Sequence, residues 1–279
     1  AACALALVQI DAVSTVDDLE LRQALNVGVQ HQLLLGASLR HKDTDFNRNQ
    51  TDESIWAGFV LEDWRPNRHW NISAGLRFED HPLQGQTWAP RGGLVFKPSR
   101  QHAFRASYSK AHRAPSYLET YWQQEVDALP GYPLLLRGSL HNASETIEAL
   151  EIGYQGLLHA DVLANVALFH NAMDDLITMR TVATYPSPPA PFAGIPAEMA
   201  FVNANAWTAM GGEVSLESDL KPWLRLSTQY SYVWLEDTET GAWLSRAPRH
   251  HASVTARLRP GRGHQIAITG RHRSRVEWE

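Results

Sequence analysis

LRLSTQYSYVW (residues 224–234) alternates with a period of two from end to end. Leu224, Leu226, Thr228, Tyr230, Tyr232 and Trp234 fall on one side, and Arg225, Ser227, Gln229 and Ser231 on the other. Successive side chains point to opposite faces only along a β-strand. The same reading extends to 70–79, where Trp70, Ile72, Ala74, Leu76 and Phe78 oppose Asn71, Ser73, Gly75, Arg77 and Glu79. In HAFRASYSK, starting at His102, Phe104, Ala106 and Tyr108 oppose Arg105 and Ser107. At 32–40 the pattern holds except at Leu34, which interrupts the polar face.

About a dozen segments read as strands: 17–27, 31–41, 54–64, 69–80, 87–97, 102–112, 144–155, 160–178, 199–219, 223–236, 247–259 and 264–274. Soluble strands average about 5–6 residues, whereas tilted transmembrane strands need about 9–11. The links GVQ, RPNR, PSRQ, LLHA, KPW and PGRG are short, and those at 42–53, 81–86, 113–143, 179–198 and 237–246 are longer and polar. Tight turns at one rim and long loops at the other are the arrangement of outer-membrane barrels. Trp64, Trp70 and Trp223 flank short turns, while Trp88, Trp207, Trp234 and Trp243 lie toward the long loops. Amphipathic rings favour the membrane–water boundary, so two girdles are expected. The fold expectation is all-β, an antiparallel transmembrane β-barrel, in a single domain over residues 1–279.

Bulk composition fits this reading. The chain has 279 residues, 44% hydrophobic and 20% charged, with net charge −5. Lys and Arg are scattered, which argues against nucleic acid as a partner. No run approaches the ~18 apolar residues of a membrane helix, but barrels do not need one, because half of each strand faces a polar lumen. Cys3 is the single cysteine, so neither an internal disulfide nor a thiolate metal cluster is available. The apolar run AACALALVQIDAV makes a poor signal peptide and fits an interior strand at least as well. The ending RHRSRVEWE stops in mid-element, as in a piece of a longer chain.

Enzyme motifs are missing: there is no G-x-S-x-G, H-E-x-x-H or phosphate-binding glycine loop. The histidines do not form a metal set. His250 and His251 point to opposite faces, and His102, His112 and His170 lie on separate strands. No cofactor is implied. Arg77, Arg105, Arg225 and Arg257 fall on polar, lumen-facing positions, with Arg40 a further candidate and Glu79, Glu151, Glu213 and Glu217 among them. They suit either a solute pathway or mutual ion pairing around the inner wall. The 113–143 link is the longest and is read as a functional loop. It carries Tyr117, Tyr121, Trp122 and Tyr132 among acidic residues, which suits capture of a bulky amphipathic ligand. A receptor, a passive porin and a soluble all-β binding module all remain open at this point.

WAGFVLEDWRPNRHWNISAGLRFEDH (56–81) and WAPRGGLVFKPSRQHAFRASYSKAHRAPSYLETYW (88–122) resemble the barrel of TonB-dependent outer-membrane receptors. ETIEALEIGYQG, ANVALFHNAMDDLI, FVNANAWTAMGGEVSLE and PWLRLSTQYSYV follow in the family's order, over roughly 17–275. The resemblance implies that these strands belong to a barrel of about 22, located in the outer membrane of a Gram-negative bacterium. It also implies a ferric siderophore or cobalamin-class ligand, imported without covalent chemistry using energy from the TonB system. The plug domain that contacts TonB and the closing strand are not visible in this chain.

Overall fold

A computed structural model describes residues 12–46, 49–186, 194–261 and 263–276. Cys3 and most of the apolar N-terminal run, the middle of the Pro-rich 179–198 link, and the last three residues lie outside them. Twelve strands make one antiparallel wall: β1 (Ala12–Val27), β2 (His31–Phe46), β3 (Asn49–Asn67), β4 (Trp70–His81), β5 (Gly85–Phe96), β6 (His102–Arg113), β9 (Glu145–His159), β10 (Val162–Thr184), β11 (Pro196–Lys221), β12 (Leu224–Asp237), β13 (His250–Gly261) and β14 (His264–Arg273). Every strand expected from alternation is present. β10 and β11 run to 23 and 26 residues, and β2 and β3 extend through 42–46 and 49–53, most of a link expected to be a long polar loop.

The exception is the long loop. Residues 113–143 hold a short helix, α1 (Tyr117–Tyr121), and a hairpin of β7 (Gln123–Leu129) and β8 (Tyr132–Arg137). Pro130-Gly131 makes the hairpin turn, with Gly131 at φ 80, a conformation that side chains with a Cβ resist.

Register carries the two faces across the middle of the wall, and its irregularities fall toward strand ends and in the outer half of β10, as between Met173 and Leu176. One hydrogen-bonded row runs Trp64, Ile72, Leu94, Ala106, Ile152, Leu168, Gly212, Tyr232. The adjacent row runs Asp63, Ser73, Gly93, Ser107, Glu151, Phe169, Gly211, Val233. The first is apolar and aromatic, and the second is mostly polar or small. Leu34 does face the polar side, where it pairs with Leu61. Phe59 covers Gly36 there so closely that a Cβ on Gly36 would lie 2.2 Å from the ring.

The rows climb. Trp64 adjoins a short turn on β3, whereas Tyr232, seven strand steps along the same row, lies nine residues beyond Trp223 at its own short turn. A shift of about one residue per strand is the stagger that goes with tilted barrel strands.

Aromatic pairs fix the height of the apolar band. Trp70 stacks on Phe96 at 4.4 Å at the short-turn rim. Phe78 meets Trp88 at 4.7 Å and Trp56 at 5.2 Å at the other rim. Each strand thus separates its two aromatics by eight residues: 56 and 64, 70 and 78, 88 and 96. Eight residues span roughly 26 Å of strand, and a tilt of about 40° reduces that to roughly 20 Å of height, close to the ~25 Å band of outer-membrane barrels. Trp207 departs from the girdle expectation. Its row holds Met173 and Asp237, so it lies on the polar face, with the Arg246 guanidinium 5.1 Å above its ring.

Among the described residues the buried apolar core is only Ala57, Ala164, Ile195 and Ala200. Leu150, Ile152 and Leu168 stay about half exposed on the outward face. A wall one residue thick needs lipid against that face, which weighs against a soluble sandwich. Placing a charge there should therefore be costly. Ile152→Arg, in mid-strand on the apolar row, is expected to cost about 2–4 kcal/mol of barrel stability in lipid, and Asn171→Arg on the polar face under about 1 kcal/mol. Folded fractions read from heat-modifiable gel migration across a urea series check this.

Candidate functional site

The end of β6 is where sequence and geometry converge. Pro115 removes a ladder donor and pushes Ala114 to extended geometry, so the strand stops at Arg113. Ser116 then caps α1: its hydroxyl accepts the Glu119 N–H at 3.4 Å, and the Glu119 carboxylate accepts the Ser116 N–H at 2.6 Å. This reciprocal box has the spacing S-x-x-E, a helix-start signal that the sequence reading passed over. Arg113 closes the root. Its Nε donates to Glu145 on β9 at 2.6 Å, and its two terminal nitrogens donate to Glu119 at 2.9 and 3.0 Å. Glu145 also accepts the Ile177 N–H of β10 at 2.7 Å.

The electrostatics follow. The Arg113 guanidinium holds the Glu145 carboxyl below the usual carboxylate range, against a smaller opposing effect of burial, with the Ile177 N–H adding to the lowering. Burial pushes Glu119 upward, yet Arg113 and the Ser116 N–H and hydroxyl together hold it below its ordinary value. Arg113 itself is raised, by Glu145 first and Glu119 second.

From this root a cap extends over the outer end of the wall. β7 and β8 pair antiparallel, and β8 joins the outer end of β11 in parallel, Leu135–Arg137 beside Glu198–Ala200. An Arg137–Glu198 ion pair reinforces the join. Gly138 passes so close to α1 that a Cβ would stand 2.6 Å from the Thr120 backbone. That approach lets its N–H reach the Trp122 carbonyl at 2.6 Å. Asn142, buried, donates to the Glu119 carbonyl at 3.0 Å.

All four aromatic residues singled out from the sequence lie in this cap, at three seats. Tyr117 and Tyr121 pack ring to ring at 4.8 Å. The Tyr121 hydroxyl donates to Glu53 of β3 at 3.1 Å, and burial, then the Glu53 charge, push its pKa up to about 12. Trp122 faces Phe201 of β11 at 6.2 Å, and Tyr132 meets Tyr185 edge-on at 5.0 Å.

The arginines lie apart from the cap, along the polar face. Arg77 pairs with Glu79 at 2.8 Å, Arg105 with Glu151 at 2.9 Å, and Arg225 with Asp219 at 2.6 Å and Glu217 at 3.3 Å. Arg257 sits directly opposite Arg225 and has no ion pair among the described residues. A hollow of about 580 Å³ on this face is lined by Arg22, Arg40, Arg77 and Arg91 with Asp18 and Glu20. Arg22 and Arg91 escaped the sequence reading. Among the described residues no group of three or more His, Cys, Asp or Glu is placed to hold a metal ion.

Residues 9–275 match the family described as TonB dependent receptor-like, beta-barrel. The chain belongs to that family. It is 22% identical over 233 residues to the iron-regulated outer membrane virulence protein of Vibrio cholerae, covering 79% of this chain and 35% of that protein. Its fold is similar to the siderophore receptor PirA of Acinetobacter baumannii, with TM-score 0.75 at 18% identity over 93% of this chain and 42% of that one. A variant of the ferric enterobactin receptor of Pseudomonas aeruginosa, solved with enterobactin, gives TM-score 0.76 at 18% identity over 93% and 41%. The chain thus spans less than half the length of these relatives. The family is one of receptors and transporters, not of enzymes.

Within this TonB-dependent receptor barrel the root clamp has a defined pH response. Both carboxyls have lowered folded pKa values, so their contribution is full above the ordinary carboxyl value of 4.5 and is lost as pH falls through the lowered ones. Protection of the Thr120 amide, which bonds the Ser116 carbonyl at 3.1 Å, is expected to hold at pH 7 and fall below about pH 4.5. Hydrogen exchange corrected for intrinsic rates checks it, and Arg113→Gln should flatten the dependence.

Proposed function

We propose that this chain forms part of the wall and outer mouth of an outer-membrane receptor of a Gram-negative bacterium that binds a ferric siderophore. Import would draw on energy from the TonB system, acting through a plug region beyond this chain. The observation that carries the reading is the cap: an ordered, aromatic-rich segment laid over the outer end of a membrane-type wall. Its relatives include siderophore receptors, which favours iron complexes over cobalamin. Tyr117, Tyr121, Trp122 and Tyr132 are the proposed ligand contacts. Arg77, Arg105, Arg225 and Arg257 would line the lumen; Arg257, free of a carboxylate partner among the described residues, lies beside the short-turn rim, at the far end of the wall from the cap. A passive porin is disfavoured, since a segment strung over the mouth would obstruct free diffusion.

In the full-length receptor, Y117A, W122A and Y132A together are expected to weaken binding of a ferric catecholate siderophore at least tenfold, with heat-modifiable migration preserved. Fluorescence quenching titrations, with cobalamin run in parallel, check this. Tight binding of cobalamin and none of the ferric siderophore would replace the ligand assignment. Growth under iron limitation that persists in a TonB-deficient strain would defeat the import reading.

A further inference from the structure

Four of the short turns open on a cation followed by proline: RPNR (65–68), KPSR (97–100), KPW (221–223) and RPGR (259–262). The first two are neighbours on the wall, because β4 and β5 pair along Trp70 and Phe96. They are also tied to each other. The Lys97 N–H donates to the His69 carbonyl at 2.7 Å, and the His69 Nδ1–H donates to the Lys97 carbonyl at 2.8 Å. That tautomer leaves His69 Nε2 as an acceptor, and the Arg68 Nε–H donates to it at 3.1 Å. Asn67 accepts the His69 N–H at 2.8 Å in the first turn, and Ser99 accepts the Gln101 N–H at 3.2 Å in the second. Asn67, His69 and Ser99 thus build the turns, and Arg68, Lys97 and Arg100 are left over.

All three cations are exposed, and none has an ion pair among the described residues, whereas Arg40, Arg77 and Arg105 on the wall each pair with a carboxylate. Neither turn contains an Asp or Glu. A hollow of about 460 Å³ opens beside the second turn, with Lys97, Arg100 and His102 in its lining. Next to the cations lies an aromatic ledge. Trp70, Phe96, Phe104 and Tyr154 form one row of the outward face. Trp70 stacks on Phe96 at 4.4 Å, Phe104 meets Tyr154 at 5.0 Å, and Phe104 is 47% exposed. Rings of this kind mark the boundary between acyl chains and headgroups. Arg68, Lys97 and Arg100, nearer the turn tips, therefore lie at the depth of lipid phosphates.

What fits such a place is apolar at one end and anionic at the other. A guanidinium fork matches two phosphate oxygens. With no carboxylate in either turn to hold an ammonium, an anionic headgroup is favoured over a zwitterionic one. We propose that Arg68, Lys97 and Arg100, with the Trp70–Phe96–Phe104 ledge, form a seat for an anionic phospholipid at the short-turn rim, its phosphate on the cations and its acyl chains on the rings. The seat needs the wall to span a membrane and makes no use of the siderophore reading.

Native mass spectrometry of the full-length receptor, titrated in detergent with phosphatidylglycerol and with phosphatidylcholine, tests it. The parent is expected to bind phosphatidylglycerol at least about fivefold more tightly, the contribution of one cation near an anionic surface, and the preference should shrink as ionic strength rises. R68Q combined with R100Q is expected to bring the two lipids within about twofold, whereas R68K combined with R100K keeps most of the preference. F104A should weaken both lipids alike, which a purely electrostatic collar would not do. Equal binding of the two lipids by the parent overturns the seat, as does a preference that survives R68Q with R100Q. Loss of the preference in millimolar inorganic phosphate would make this a free-anion site and overturn the lipid assignment. Because the assay uses no siderophore, failure of the receptor reading would show as absent siderophore binding with the lipid preference intact.

Discussion

Inside a bilayer a backbone N–H or C=O has no water to turn to, so every one must find a partner in the protein. The rest of this structure depends on that constraint. It dictates unbroken ladders between long strands, which is what the twelve-strand path from β1 to β14 provides. It also explains why so little is buried. The wall is held by hydrogen-bonded rows and by packing on one outward face, not by a hydrophobic interior. Irregular backbone is confined to the two ends, where water is available.

Because the ladders are continuous, the alternation of each strand is locked to that of its neighbours. A slip of one residue anywhere would turn charged residues outward. The positions where the pattern is broken are accordingly few and compensated. Leu34 finds Leu61 opposite, and Phe59 lies over Gly36, a glycine that leaves room for the ring. The arginines of the polar face are mostly matched by carboxylates close by on the same or the adjacent strand. These exposed pairs contribute little stability each. Their effect is to keep closely spaced charges on one face compatible with one another.

The wall was legible in the sequence because its signal is strictly local. Trp70 to Glu79 declares its two faces without reference to any other strand. The cap was legible only in part. Its aromatics stood out, but their seats on Glu53, Phe201 and Tyr185 depend on contacts between segments tens of residues apart. Two local signals were present and passed over: Ser116 with Glu119 for the helix, and Pro130-Gly131 for the hairpin. β7 alternates over a few residues only, and β8, YPLLLR, not at all, so neither declared itself as a strand. Arg22 and Arg91 were missed for a different reason. Their strands carry less regular patterns, so their faces became clear only through register with β2 and β4.

The climb of the rows has a consequence for how the molecule samples its surroundings. Residues joined by hydrogen bonds are not at equal depth. The row that begins at Trp64, beside a short turn, passes Ile152 in mid-strand and reaches Tyr232 near the opposite boundary. A single line of bonded neighbours thus crosses the bilayer like a thread on a screw. A residue at the outer end of one strand is therefore bonded, through such a row, to residues at the opposite boundary several strands away.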